Sequence, residues 1–131
     1  QSYGRDALAG IYRAAHACLV TPLRDGMNLV AKEFVAAQDP DDPGVLLLSR
    51  FAGAAEQMTE ALLINPHDKE QCADAIAQAL DMPRAERIER WKALDETISR
   101  SSLSAWKEQF MTDLRNLGDV NTPPSGNVFA F

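Results

Sequence analysis

Residues 21–33 read TPLRDGMNLVAKE, and the elements that flank this stretch decide the fold class. Immediately upstream lies ACLV, residues 17–20, an apolar and partly β-branched run of the kind that forms a short buried strand. Pro22 ends that strand, and Asp25-Gly26 is a turn dipeptide. From Met27 the spacing predicts a helix with Leu29, Val30, Phe34 and Ala37 on one side. Strand, glycine-containing loop and helix N-terminus in that order suit an anion. The first-turn N–H groups have no intrahelical partners, and the helix macrodipole is positive there. Two carboxylates bracket the helix start, Asp25 in the loop and Glu33 eight residues later. Eight residues at helical rise span roughly 12 Å, about the length of a nucleotide sugar with its diphosphate in the middle. On this geometry Asp25 accepts bonds from sugar hydroxyls, and Glu33 takes the two ribose hydroxyls.

Outward from the motif the chain alternates in the same way. Residues 38–44, QDPDDPG, form a loop; the aspartates lack the register of a calcium-binding loop and read as a solvated turn. VLLLS, residues 45–49, is a continuous apolar run, as expected for a strand covered on both faces. The small-residue loop RFAGAA then leads into a short helix through about residue 59, with Gly53 serving either a close backbone approach or a turn. ALLIN, residues 61–65, is the next strand and Pro66 closes it. Asp68 caps a helix over 69–80, with Gln71 completing a capping box and Cys72, Ile76 and Leu80 on the buried side. Pro83 opens another helix to about residue 99, with Ile88, Trp91, Leu94 and Ile98 as its apolar stripe. Upstream of the motif, residues 5–15 form a helix with Leu8, Ile11 and Tyr12 facing inward. The alternation is βαβ, and the fold class is α/β with a short parallel sheet flanked by helices.

The string LRDGMNLVAKE, an acidic residue, seven residues and then Glu, resembles the trehalose-6-phosphate synthase family of retaining glycosyltransferases. The similarity continues through VAAQ, PGVLLLS, FAGAA and ALLINP, and more loosely to about Gly118. The resemblance implies a partial Rossmann-like domain, the C-terminal part of the UDP-glucose-binding half of a type B, two-Rossmann enzyme. Residues 1–118 belong to that domain and 119–131 form an irregular tail. The acceptor-binding domain, the early strands of the donor domain, and the Arg and Lys that grip the diphosphate fall outside the chain.

Carried onto this sequence, the segment Asp25, Gly26, Met27, Asn28, Leu29, Val30, Ala31, Lys32 and Glu33 is the substrate-binding stretch. Asp25 and the backbone at Gly26, Met27 and Asn28 hold the donor glucose. The amides of Leu29 and Val30 face the diphosphate, and Glu33 binds the ribose. Lys32 lies within the segment, with a side chain that equally well charges the helix surface. Tyr3 stands where the family places an aromatic residue whose backbone meets the uracil ring; a core or surface aromatic at a helix start is the plainer reading. His16 stands where relatives commonly carry Asp and is assigned no role. The parent reaction moves glucose from UDP-glucose to glucose 6-phosphate with retention, and it uses no metal or other cofactor. The isolated chain, with half the cleft elsewhere, is expected to be inactive. Two alternatives stay open: a non-catalytic interaction or regulatory module, and a related synthase with another acceptor such as glycerol 3-phosphate.

Composition narrows the partners. The chain has 131 residues, a net charge of −6 and ordinary apolar content, enough for one domain with a modest core. The acidic balance argues against nucleic acid or an anionic membrane as partner. No apolar run approaches a membrane span. Cys18 and Cys72 read as reduced core residues of a cytoplasmic protein, and His16 and His67 share no metal-ligand spacing with them.

A last helix is predicted over 103–116, where Leu103, Trp106, Phe110, Leu114 and Leu117 make one long apolar seam. In the resembling family this helix packs on the other Rossmann domain. Without that domain the seam folds onto its own sheet, pairs with another copy or stays exposed as an aggregation risk, and self-association is the outcome expected. Light scattering on the chain should therefore give more than the monomer mass; a monomer with Trp106 shielded from quenchers contradicts this.

Overall fold

The computed structural model describes residues 5–100, with side chains from Ala7 onward. Tyr3, the helix expected over 103–116 and the tail lie outside the described residues. In chain order the elements are α1 (Arg5–Ala14), β1 (Ala17–Val20), α2 (Leu29–Ala37), β2 (Val45–Ser49), a 3₁₀ turn (Gly53–Glu56), β3 (Leu62–Ile64), α3 (Lys69–Asp81) and α4 (Arg84–Arg100).

The three strands form one parallel sheet in the order β1-β2-β3. Ala17 pairs with Val45 and Val20 with Leu48, while Leu47 pairs with Leu62 and Ser49 with Ile64. Every residue of β2 is buried, as the unbroken apolar run predicts for a central strand. Its alternate side chains serve two cores. Leu46 and Leu48, with Val20 of β1, pack against Ala31, Phe34 and Val35 of α2 and Leu94 of α4. Val45 and Leu47, with Leu62 and Ile64 of β3, pack against Ala75 and Ala79 of α3 and against Met82. Each of the fully buried leucines contributes about 1.5–3 kcal/mol of transfer free energy.

Several expectations shift in detail. Helix α2 starts at Leu29 rather than Met27, because Asn28 takes up the cap position. Its buried stripe is Ala31, Phe34 and Val35, continued by buried Gln38. Leu29 and Val30, expected on that stripe, are 60% and 43% exposed in the open first turn. In α3 the buried residues are Ala75 and Ala79, with Cys72 partly buried, and Leu80 is 58% exposed. Small alanines let the helix approach the sheet closely, and the larger Ile76 and Leu80 are turned aside. Ile11 of α1 is likewise exposed, while Tyr12 packs edge-on against Phe34. The Asp68 cap forms, its Oδ1 accepting from the Gln71 amide at 3.0 Å. The return bond of the capping box goes elsewhere: Gln71 Oε1 accepts from the Asn65 amide at 2.7 Å, which ties the end of β3 to α3.

Gln38 is a buried polar node. Its Nε2 donates to the carbonyls of Tyr12 at 2.6 Å and Phe34 at 3.2 Å, and its Oε1 accepts from the Gly44 amide at 2.7 Å. The end of α1, the end of α2 and the entry to β2 thus meet on one side chain. A Cβ at Gly44 would collide with the carbonyl oxygen of Ala15, so glycine is required where these segments cross. Helix α4 is fastened by the Trp91 indole, which donates to the Val35 carbonyl at 3.0 Å, and by Arg87. The Arg87 guanidinium donates to the Pro43 carbonyl at 2.5 Å and pairs with Asp42 at 2.7 Å. Replacing Gln38 by Leu leaves the Gly44 amide without its partner and takes from the Tyr12 carbonyl one of its two donors, the other being the Ala15 amide, and should cost roughly 1–3 kcal/mol in urea denaturation. A loss below about 0.5 kcal/mol would remove Gln38 from this role.

Candidate functional site

All three parallel strands end at the same edge of the sheet, the edge where ligands bind in open α/β folds. The loop after β1 carries residues 21–28, the loop after β2 carries Arg50, Phe51 and Ala52, and the loop after β3 carries residues 65–68. Backbone bonds join the first two. Asp25 and Ala52 form an isolated parallel bridge, in which the Asp25 amide donates to the Phe51 carbonyl at 3.4 Å and the Gly53 amide to the Asp25 carbonyl at 3.0 Å. The Phe51 ring meets the His67 ring edge-on, with centroids 5.8 Å apart, which joins the second loop to the third.

Asn28 turns the first loop into the helix. Its φ of 52° and ψ of 83° are left-handed, a conformation that Asn tolerates better than most residues. Its Oδ1 accepts from the Ala31 amide at 3.0 Å, and its Nδ2 donates to Asp25 Oδ2 at 2.7 Å. One amide side chain therefore caps α2 and grips the Asp25 carboxylate.

This leaves the corner open. The amides of Leu29 and Val30 make no hydrogen bond among the described residues. No acidic residue occupies the first turn of α2, so the positive end of its macrodipole is not offset by the helix itself. A Cβ placed on Gly26 would meet nothing within 4 Å. Leu23, Met27, Leu29 and Phe51 are all exposed around it, an apolar rim beside unpaired N–H groups. Glu33, one turn into α2, is exposed. Its charge reaches α1: burial, then Glu33, then Cys18 push the Tyr12 phenol above its ordinary pKa. Ala31 is fully buried and its amide is committed to Asn28, so Leu29 and Val30 carry the free amides. Lys32 is half-buried and makes no ion pair among the described residues. A cavity of about 430 Å³ lies elsewhere, lined by residues that include Arg13, His16, Asp39 and Asp42.

The contiguous segment from Asp25 to Glu33 is thus gathered at one corner, while Tyr3 lies outside the described residues. Spacing alone did not reveal the Phe51–Gly53 loop as the support of Asp25. Its signal is Gly53, where a Cβ would collide with the carbonyl oxygen of Gly26.

Residues 1–116 match the family described as Glycosyltransferase family 20. The chain is 56% identical over 119 residues to a trehalose-6-phosphate synthase of Sinorhizobium fredii, covering 91% of this chain and 26% of that protein. Against the trehalose-6-phosphate synthase of Klebsiella pneumoniae it is 51% identical over 117 residues, covering 89% and 25%. Among solved structures, one described as trehalose-6-phosphate from E. coli bound with UDP-2-fluoro glucose superposes with a TM-score of 0.82 at 51% identity, covering 88% of this chain and 26% of that one. An α,α-trehalose-phosphate synthase (UDP-forming) from Burkholderia xenovorans in complex with glucose-6-phosphate gives 0.81 at 53% identity, with the same coverage of 88% and 26%. The chain spans about a quarter of the length of the relatives it matches.

Proposed function

Because this chain belongs to glycosyltransferase family 20, we propose that it is the donor-binding part of a retaining glucosyltransferase that moves glucose from UDP-glucose to glucose 6-phosphate, giving trehalose 6-phosphate. Support comes from the names of the relatives and from solved neighbours that carry UDP-2-fluoro glucose and glucose-6-phosphate. The observation that carries the reading is the open N-terminus of α2, with unpaired amides at Leu29 and Val30 and carboxylates at Asp25 and Glu33.

In this reading the diphosphate rests on the amides of Leu29 and Val30. Asp25, with the backbone of Gly26, Met27 and Asn28, accepts and donates to the glucose hydroxyls, and Glu33 accepts from the ribose. As the glycosidic bond lengthens, negative charge builds on the departing diphosphate oxygen. Fixed N–H dipoles aimed at that charge stabilise the transition state more than the ground state, which is what lowers the barrier. The acceptor and further cationic groups come from outside this chain, so the chain alone binds the donor weakly and transfers nothing. Self-association through the 103–117 seam belongs to the same proposal and rests on sequence spacing.

Titrating the chain with UDP and with UDP-glucose, followed by amide chemical shifts, tests the donor site. Weak, saturable binding at millimolar concentration is expected, with the largest shifts at Leu29 and Val30, and Glu33→Ala should abolish it. Absence of binding by either nucleotide sinks the donor reading and leaves an interaction module in its place.

A further inference from the structure

A carboxylate that accepts hydrogen bonds from a sugar works best when its position is set beforehand, because freezing it on binding costs affinity. Asp25 is set from two elements. On the α2 side, Asn28 Nδ2 donates to its Oδ2 at 2.7 Å, and Asn28 is itself locked by its cap bond to Ala31. On the β2 side, the Phe51 carbonyl and the Gly53 amide hold the Asp25 backbone through the parallel bridge. That loop leaves a strand in which every residue is buried, and its Ala52, the bridge partner of Asp25, is buried as well. It can come this close only because residue 53 has no side chain, since a Cβ there would overlap the Gly26 carbonyl oxygen.

We propose that the Asn28 side chain and Gly53 are positioning residues for the donor sugar. Asn28 sets the direction of the Asp25 carboxylate, and Gly53 sets the place of the Asp25–Gly26 peptide that carries it. The proposal rests on the donor-site reading above. It adds that the sugar half of the donor is controlled separately from the nucleotide half, which meets the Leu29 and Val30 amides and Glu33.

The test compares UDP-glucose with UDP on the wild-type chain and on Asn28→Gly, Gly53→Ala and Gln38→Leu. Glycine at 28 keeps the left-handed backbone and weakens the cap only slightly, while deleting the grip on Asp25. Asn28→Gly and Gly53→Ala should each weaken UDP-glucose roughly tenfold while moving UDP by less than about twofold. Gln38→Leu, which loosens the far end of α2, should leave the ratio of the two affinities where it was. Equal weakening of both nucleotides by Asn28→Gly, or undiminished UDP-glucose binding, overturns the positioning role. Should Gly53→Ala fail to fold, Asn28→Gly decides alone. A wild-type chain that binds neither nucleotide overturns the donor reading too, whereas a wild-type chain that prefers UDP-glucose with an unaltered ratio in Asn28→Gly overturns only the positioning role.

Discussion

A strand with apolar side chains on both of its faces has to be enclosed on both, and β2 imposes that demand on everything around it. Val45 to Ser49 are all buried. One face draws in α2 and α4, and the other draws in α3. The strand's two edges are filled by β1 and β3 in parallel pairing. Parallel pairing then requires each connection to cross back over the sheet, which sends all three strand ends, and the loops that follow them, to one edge. The corner built on Asp25 and Asn28 is where it is because β2 is buried.

That corner depends on hydrogen bonds left unmade as much as on those formed. Asn28 satisfies only the Ala31 amide of the first turn, and the Leu29 and Val30 amides have no partner among the described residues. The far end of the same helix is treated differently. Gln38 alone serves two carbonyls and one amide where α1, α2 and β2 converge. The far end of α2 is tied down by Gln38, while its near end keeps the open first-turn amides on which the proposed donor site rests. No helix among the described residues is long and apolar enough to cross a membrane.

Much of this was legible in the order of residues. The unbroken VLLLS run, the Pro22 stop and the alternation of elements are local signals, and each has the form the structure shows; at Asp25-Gly26, read from the sequence as a turn, the chain instead makes a parallel bridge to Ala52 and then bends. The Asp68 cap was legible for the same reason, since its bond reaches only three residues along the chain. The less local signals misled. Ile76 and Leu80 are the larger apolar residues of α3, yet Ala75 and Ala79 face the sheet. Helical periodicity locates a stripe to within about one position, and the closeness of approach to the sheet chooses which neighbour turns inward. Gln71 likewise bonds Asn65 instead of closing its own capping box, because the Asp68 amide that the box would use already donates to the Asn65 carbonyl at 2.9 Å.

By itself, then, the order of residues determined an α/β chain with a glycine-containing loop leading into a helix, and acidic side chains at Asp25 and Glu33, because those depend on neighbours a few positions apart. Which residues hold Asp25 was decided only by the tertiary structure. Phe51 and Gly53 lie some 26 to 28 positions away, and they reach it because parallel pairing of β1 with β2 returns their loop to the same edge. No local pattern encodes a contact whose partners are brought together by a sheet.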